Sequence, residues 1–336
     1  MIKNRYPLNQ SPFYKLSSHK KLAKILSLES TSQLKKIISK GINNFYVSTL
    51  PSERQIEVPM PQMTRIHRRV NSLLNRIQIP EYMNSGIKGR SHIKNGKDHL
   101  GCNYVFKIDI KKYYPSVKCK HIEKVFTNKF KCSPDIAKSI ALISTYNGYL
   151  PTGSPLSQTM AYISCRPVFD HIYQYSLDRS LKFSVYVDDL TFSGSKVTPK
   201  FKSYISNYLK RHRDFVCHKI RNYKPETPKP ITGVIVENNN LKVSNKHRDI
   251  INNLRKDLTI SLNDSSITED NMIRKFQVLL GHLFSAGQIN GRYKQLGYAL
   301  VNKRKALNIH AMNQNTTNKR NAPNSRKRRK LKATWV

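Results

Sequence analysis

Residues 183–193 read Phe183-Ser184-Val185-Tyr186-Val187-Asp188-Asp189-Leu190-Thr191-Phe192-Ser193, two β-rich runs divided only by adjacent aspartates. The pattern predicts strands over 183–187 and 190–193, joined as a hairpin with the carboxylates at its tip. About eighty residues upstream, Tyr104-Val105-Phe106-Lys107-Ile108-Asp109-Ile110 is another β-rich run, too short for a helix of its own, and it too carries an aspartate between apolar neighbours. Unpaired charge is costly in such settings. With the hairpin beside the strand, Asp109 and Asp188 face one another, and clustered carboxylates are stable as anions only when a divalent metal neutralises them. Two Mg2+ ions, with Mn2+ as a substitute, match these hard oxygen donors and suit in-line attack at phosphorus. The competing reading is structural: Asp-Asp is a good turn former, and Asp109 could be a satisfied strand end.

Working outward, helices are expected after Ser116 and from Ser133-Pro134-Asp135, where a cap, a proline at the first position and an acid at the positive end of the dipole agree. The turn-rich segment 148–155 leads into a helical stretch over 156–179. A helix over 199–213, a strand over 215–220 and a second hairpin (231–236 and 241–243 around Asn238-Asn239-Asn240) complete an α+β block. On the N-terminal side, 20–28 and 32–40 read as short basic helices. Residues 62–79 carry a helical apolar stripe (Met63, Ile66, Val70, Leu73, Leu74, Ile77) ended by Pro80, and 86–101 reads as a Gly- and Lys-rich loop. Helical patterns over 246–259, 270–286 and 292–307 form a basic module with no acid after Asp270; from Ala311 the chain becomes a polar tail ending in the basic run 326–332, expected to be flexible.

The 336 residues hold 60 Lys+Arg against 20 Asp+Glu, a net charge of +40, while 18 Tyr and 12 Phe supply a core. Such a charge points to a polyanionic partner, nucleic acid. No apolar run approaches the ~18–20 residues of a membrane span, and residues 1–14 lack the apolar core of a secretory signal, so a soluble cytoplasmic protein without a membrane partner is expected. The five cysteines are widely spaced without a C-x-x-C pair, which argues against a disulfide framework or a zinc site.

Three segments, Phe106-Lys-Ile-Asp109-Ile-Lys-Lys-Tyr-Tyr114-Pro-Ser116, Leu150-Pro-Thr152-Gly153-Ser154-Pro155-Leu-Ser-Gln158 and Tyr186-Val-Asp188-Asp189, resemble in order and spacing three core motifs of reverse transcriptases. Asn95-Gly96-Lys-Asp-His99 and Ile231-Thr232-Gly233 resemble two signatures of the bacterial retron group. The likeness runs from about Arg54 to Asp257. It implies a right-hand polymerase: N-terminal basic helices and fingers over 1–104, a palm of antiparallel sheet plus helices over 105–243 with finger helices at about 116–147, a helical thumb over 244–310 and the basic tail over 311–336.

The resemblance also implies site roles. Metal ligation falls to Asp109, Asp188 and Asp189, with the Ile110 carbonyl as a further ligand. Tyr114 falls where the family stacks an aromatic under the incoming sugar. Gly153, Ser154, Pro155 and Gln158 shape the nucleotide pocket, Arg54 grips the triphosphate and Lys219 holds pyrophosphate. Asn95, His99, Ile231, Thr232 and Gly233 serve the partner RNA, with His99 orienting a loop or the template. Two departures stand out: Thr152 where the family usually has Gln, and Gly96 where it has Ala. The implied activity is RNA-directed DNA synthesis on a structured noncoding RNA, consuming deoxynucleoside triphosphates and leaving an RNA–DNA hybrid, within a bacterial antiphage system that includes an effector protein. Another bacterial reverse transcriptase lineage, or a non-catalytic RNA-binding scaffold, are the alternatives.

Overall fold

The computed structural model describes residues 5–213, 215–264 and 266–318. The chain divides into two compact units between Lys242 and Val243. In the first, α1 (His19–Ile25) and α2 (Thr31–Lys40) each start at a serine, Ser18 and Ser30, whose hydroxyl accepts a first-turn amide hydrogen bond. β1 (Phe45–Thr49) and β2 (Gln55–Pro59) then form a separate antiparallel pair. The sequence reading had no hairpin here: Gln55-Ile56-Glu57-Val58 alternates polar and apolar, but the run is short and only Phe45 and Pro59, paired at one end, are buried.

α3 (Pro61–Leu74) opens on a first-turn proline and buries the expected stripe. It ends at Leu74, short of the expected Ile79. Beyond it the chain pairs with the N-terminus: the Tyr6 amide donates to the Arg76 carbonyl (2.9 Å) and the Gln78 amide to the Tyr6 carbonyl (2.9 Å), so Ile77 is buried by extended pairing instead of a helical face. The expected loop at 86–101 contains α4 (His92–Lys97), capped by Ser91. Asn95 and Gly96 are poor helix formers, which hid this turn. Packing accounts for the glycine: a Cβ on Gly96 would lie 2.4 Å from Val234 Cγ2.

β3 (Tyr104–Ile110) leads through the single turn α5 (Tyr113–Ser116) into α6 (Cys119–Asn128), α7 (Pro134–Ser144) and the long α8 (Ser157–Leu177). β4 (Lys182–Tyr186), β5 (Asp189–Gly194), α9 (Pro199–Arg213) and β6 (Cys217–Tyr223) follow, and the strands assemble antiparallel in the order β4-β5-β3-β6. Side chains alternate across the sheet. On one face Phe106, Phe192 and Phe183 stack in sequence (centroids 5.6 and 4.9 Å apart), and Phe201 of α9 meets Phe192 edge-on at 5.3 Å. The other face carries Val105, Lys107 and Asp109. This mixed architecture, an antiparallel sheet backed by helices, is the fold class expected.

The run 231–236, expected as one strand, is two. β7 (Lys229–Ile231) turns back at Thr232-Gly233 into β8 (Val234–Glu237), and a second turn at Asn238-Asn239 leads to β9 (Asn240–Val243). All four turn residues have positive φ (45° and 93°, then 48° and 57°), the backbone that matches strand twist in two-residue hairpins. Ile231 and Val236 pack on Val105.

The second unit is helical: α10 (Asn245–Leu262), α11 (Glu269–Gly287) and α12 (Gly291–Asn318), around Ile251, Leu258, Phe276, Leu279 and Leu283. α12 continues past Ala311, where the tail was expected to begin, and the basic run 326–332 lies outside the described residues. Among the described residues no helix is long and apolar enough to cross a membrane.

Candidate active site

The carboxylates meet at one end of the four-stranded sheet. Asp109 is directly opposite Asp189 in the β3–β5 register, and Tyr186 is opposite Asp189 across the hairpin. The expectation that Asp109 faces Asp188 is thus shifted by one: Asp188 occupies the turn, where its carbonyl accepts the Ile110 amide at 3.0 Å. Val187, before it, has φ 57°. That is an outlier for a β-branched residue, and such strain persists only where neighbours impose it. Here Ser85 does so: its hydroxyl accepts the Val187 amide at 2.9 Å, while the preceding chain is pinned by the Asn84 amide on the Val185 carbonyl (2.9 Å).

Charge at this end is mixed. Burial, with Asp109 and Asp189 adding repulsion, pushes the Asp188 carboxyl above the ordinary carboxylate value, and Lys219 offsets part of this. Burial also raises Asp189, against the pull of Lys107, whose Nζ lies 3.6 Å from Asp189 Oδ1. His218 Nδ1 is 3.7 Å from Asp109 Oδ1. Lys219 reaches the pair through a β-bulge. The β3–β6 register steps from Lys107↔Arg221 to Asp109↔His218, and Lys219, with φ 49°, occupies the extra position, where a bulge re-aims a side chain.

Tyr114 follows a left-handed Lys112 (φ 50°) that turns the chain sharply after β3. Its phenol is pushed up to about 12, first by burial and then by Asp188, with Arg54 opposing, so Arg54, Tyr114 and Asp188 share one electrostatic neighbourhood. Arg54 itself stands in the exposed β1–β2 turn.

The loop 150–155 is fastened to β2. The Thr152 amide and hydroxyl both donate to Glu57 Oε2 (2.9 Å each), Tyr149 OH donates to Glu57 Oε1 (3.3 Å), and the Gly153 amide donates to the Glu57 carbonyl (3.0 Å). A Cβ on Gly153 would sit 2.7 Å from that carbonyl, so glycine is required by the close approach. Ser154 Oγ lies 2.7 Å from His67 Nδ1, whose Nε2 meets the Ile143 carbonyl at 2.7 Å. Pro155 is exposed. Gln158 turns to Gly86 and lines, with Ser85, Thr159 and Tyr162, an apolar cavity of about 220 Å3.

The two short signatures meet elsewhere, at the opposite end of the sheet. Asn95 Nδ2 donates to Thr232 Oγ1 (3.2 Å), whose hydroxyl donates to the His92 carbonyl (3.2 Å). His99 is enclosed between Ser193 (Nδ1, 2.6 Å) and Ser184 (Nε2, 2.7 Å), one on each strand of the aspartate hairpin. Asn95, His99 and Ile231 are fully buried, which sets their side chains to holding α4, the β7–β8 turn and the hairpin together, away from direct contact with RNA. Ser85, Glu57, His67, Lys107 and His218 were missed. Only Lys107 had a readable signal, lying two residues before Asp109 on the same strand face.

Among the described residues no three His, Cys, Asp or Glu side chains close into a ready metal cage. The donor set fits magnesium nonetheless. Partly buried carboxylates that repel one another carry charge a cation relieves, and Mg2+ is bound through one or two carboxylates while keeping waters and phosphate oxygens in its other positions.

Comparison with known proteins adds kinship. No family model matches. The chain is 27% identical over 198 residues to the retron Se72 reverse transcriptase of Salmonella heidelberg (57% of this chain, 52% of that one), 25% over 134 residues to the retron Ec86 reverse transcriptase of Escherichia coli (40% and 42%), and 26% over 175 residues to the retron Mx162 reverse transcriptase of Myxococcus xanthus (45% and 36%). It spans about half the length, or less, of these relatives. A foamy viral protease–reverse transcriptase solved with double-stranded DNA aligns with a TM-score of 0.40 at 16% identity, covering 72% of this chain and 35% of that one. Over the stretches matched, the chain is thus similar in sequence to several retron reverse transcriptases.

Proposed function

We propose that the chain is an RNA-directed DNA polymerase of retron type that copies part of a structured noncoding RNA into a short single-stranded DNA, left as an RNA–DNA hybrid. The observation that carries this is that Asp109, Asp188 and Asp189 lie together at one sheet end, in segments that resemble core motifs of reverse transcriptases, in a chain similar in sequence to retron enzymes. Two Mg2+ ions, when bound by these carboxylates and the Ile110 carbonyl, supply charge neutralisation at the reacting phosphate and acidify the attacking hydroxyl. The chain's own groups do the rest. Arg54 anchors the triphosphate from the β1–β2 turn, the neutral Tyr114 ring lies under the incoming sugar and disfavours a 2′-hydroxyl, and Lys219 holds the departing pyrophosphate. Gly153, Ser154 and Pro155 form the pocket wall, which Glu57 and His67 keep in place, and Gln158 supports it from the cavity side. Asn95, His99, Ile231, Thr232 and Gly233 shape the surface that meets the RNA without touching it through buried atoms. The division of labour is fingers over 1–104, palm over 105–243, thumb over 244–310 and a nucleic-acid-binding tail, in a bacterial cytoplasmic antiphage system with an effector protein.

Primer extension on an RNA template by the Asp188→Asn/Asp189→Asn protein tests the reading. Synthesis is expected to vanish while RNA binding holds or tightens, since two charges facing phosphate are removed. Unchanged synthesis would refute the assignment. Expression with flanking genomic DNA adds the retron-specific part: a short DNA that stays joined to RNA until debranched.

A further inference from the structure

Outside the carboxylate site, the sheet's helix-covered face bears an unusual seam. α8 presents His171 and Tyr175 at four-residue spacing, Arg179 follows in the turn after the helix, and α9 presents Tyr204, Tyr208 and His212 at four-residue spacing. Residues four apart share one helix face, so a stripe on α8 and a stripe on α9 meet, and Arg179 caps the first from the turn beyond α8. The Tyr175–Tyr204 and His171–Tyr208 planes are nearly parallel, and His212 is tilted against Tyr208. Arg179 lies 3.5 Å from the Tyr175 ring centroid, Tyr175 and Tyr204 stack at 3.9 Å (17°), His171 and Tyr208 at 4.4 Å (14°), and Tyr208 and His212 follow at 4.2 Å (33°). His171 Nε2 and Tyr204 OH lie 2.8 Å apart, which fixes the register.

Helix packing does not call for this arrangement. Phe201, Ile205 and Leu209 of α9 already bury completely against the core. The seam is the next stripe round the cylinder, with its tyrosines half-exposed and His171, Arg179 and His212 exposed. Its surroundings are cationic. α9 has no acid anywhere in Pro199–Arg213 and adds exposed Lys200, Lys210 and Arg211. The two carboxylates nearby, Asp170 on α8 and Asp178 just after it, are engaged, Asp170 by Arg166 (3.4 Å) and Tyr82 OH (2.6 Å), and Asp178 by Gln174 (2.8 Å). Tyr175 and Arg179 lie where α8 runs into the start of β4, which pairs with Ser193 at the end of the hairpin remote from Asp189.

We infer that this seam is a second nucleic-acid site, taking a single-stranded segment whose bases stack on the exposed planar groups that end the ladder, Arg179 and His212, and run along its tyrosines while Lys210 and Arg211 neutralise its phosphates. Aromatic platforms in a basic field bind single strands in a sequence-tolerant way, because every base has a π-face. The site lets the protein hold an unpaired stretch of RNA or DNA apart from the strand engaged at the carboxylates.

Photocrosslinking of the full chain tests this without depending on any variant. Single-stranded 20-residue RNA carrying 5-iodouridine, and DNA carrying 5-iododeoxyuridine, are irradiated with the protein and the adducts mapped by mass spectrometry. Adducts on Tyr175, Tyr204, Tyr208 or His212 are expected, and the RNA and DNA arms show which nucleic acid the seam prefers. The Tyr204→Leu/Tyr208→Leu protein keeps the apolar volume and is expected to lose those adducts and bind the oligonucleotide about tenfold more weakly, with primer extension on a short duplex unchanged. Adducts confined to other surfaces would overturn the inference and leave the seam to a protein partner. The Asp188→Asn/Asp189→Asn protein separates the two readings: it should retain the seam adducts whatever its synthesis does.

Discussion

The buried His99 makes a quantitative test of how the β4–β5 hairpin is held. Its ring is enclosed between Ser184 and Ser193, and burial pushes its pKa from 6.5 to about 3. His67, enclosed behind Ser154, is lowered from 6.5 to about 4, also chiefly by burial. The fold therefore favours the neutral imidazoles. Their contribution is fully present above pH 6.5, where the unfolded chain is also neutral, and is lost as pH falls toward the folded values, because the unfolded chain then binds protons that the folded chain rejects. At pH 5 each histidine costs about 2 kcal/mol, or about 4 kcal/mol together. For a unit of this size that lowers the melting temperature by roughly 8–16 °C. Thermal unfolding followed by circular dichroism at pH 7, 6 and 5 measures it. A His99→Asn protein, whose amide can still pair with a serine but does not titrate, should be less stable at pH 7 and lose only about half as much between pH 7 and 5. Parallel losses in the two proteins would refute the argument that His99 is the titrating group.

Ser85→Ala removes the acceptor for the strained Val187 amide and should cost ~1–2 kcal/mol in denaturant unfolding together with a loss of primer-extension rate; Val187→Gly, which tolerates φ 57°, should recover stability. Glu57→Ala frees the 150–155 loop and should raise KM for deoxynucleotide more than it lowers kcat, with Glu57→Gln intermediate because an amide oxygen still accepts from Thr152. Equal kinetics for all three proteins would sink the positioning role. Millimolar Mg2+ should raise the melting temperature of the parent chain, by binding only the folded carboxylates, and leave the Asp188→Asn/Asp189→Asn protein unmoved.

The four-stranded sheet and the helices around it were legible because their signals are local. Tyr104–Ile110 and Pro199–Arg213 appear at the bounds the pattern predicts, and Pro134–Ser144 begins where Ser133-Pro134-Asp135 says it should. The aspartate hairpin was readable from apolar flanks around a polar break. The β1–β2 hairpin was not, since its strands are short and bury only Phe45 and Pro59, and α4 was not, since Asn95-Gly96 lowers helix propensity and only contact with Val234 explains the glycine.

By itself the sequence determined the α+β class, the three apolar-flanked aspartates, the strongly basic charge balance and the family likeness, because residue type, spacing and net charge are properties of the chain. Tertiary structure alone decided the rest. It paired Asp109 with Asp189 instead of Asp188, turned Lys219 onto the pair through a bulge, and fastened Thr152 to Glu57. It also set Asn95 and His99 to work as buried braces. Each of these depends on the register of one strand against another or on which polar group burial leaves needing a partner, and those are decided between segments tens of residues apart.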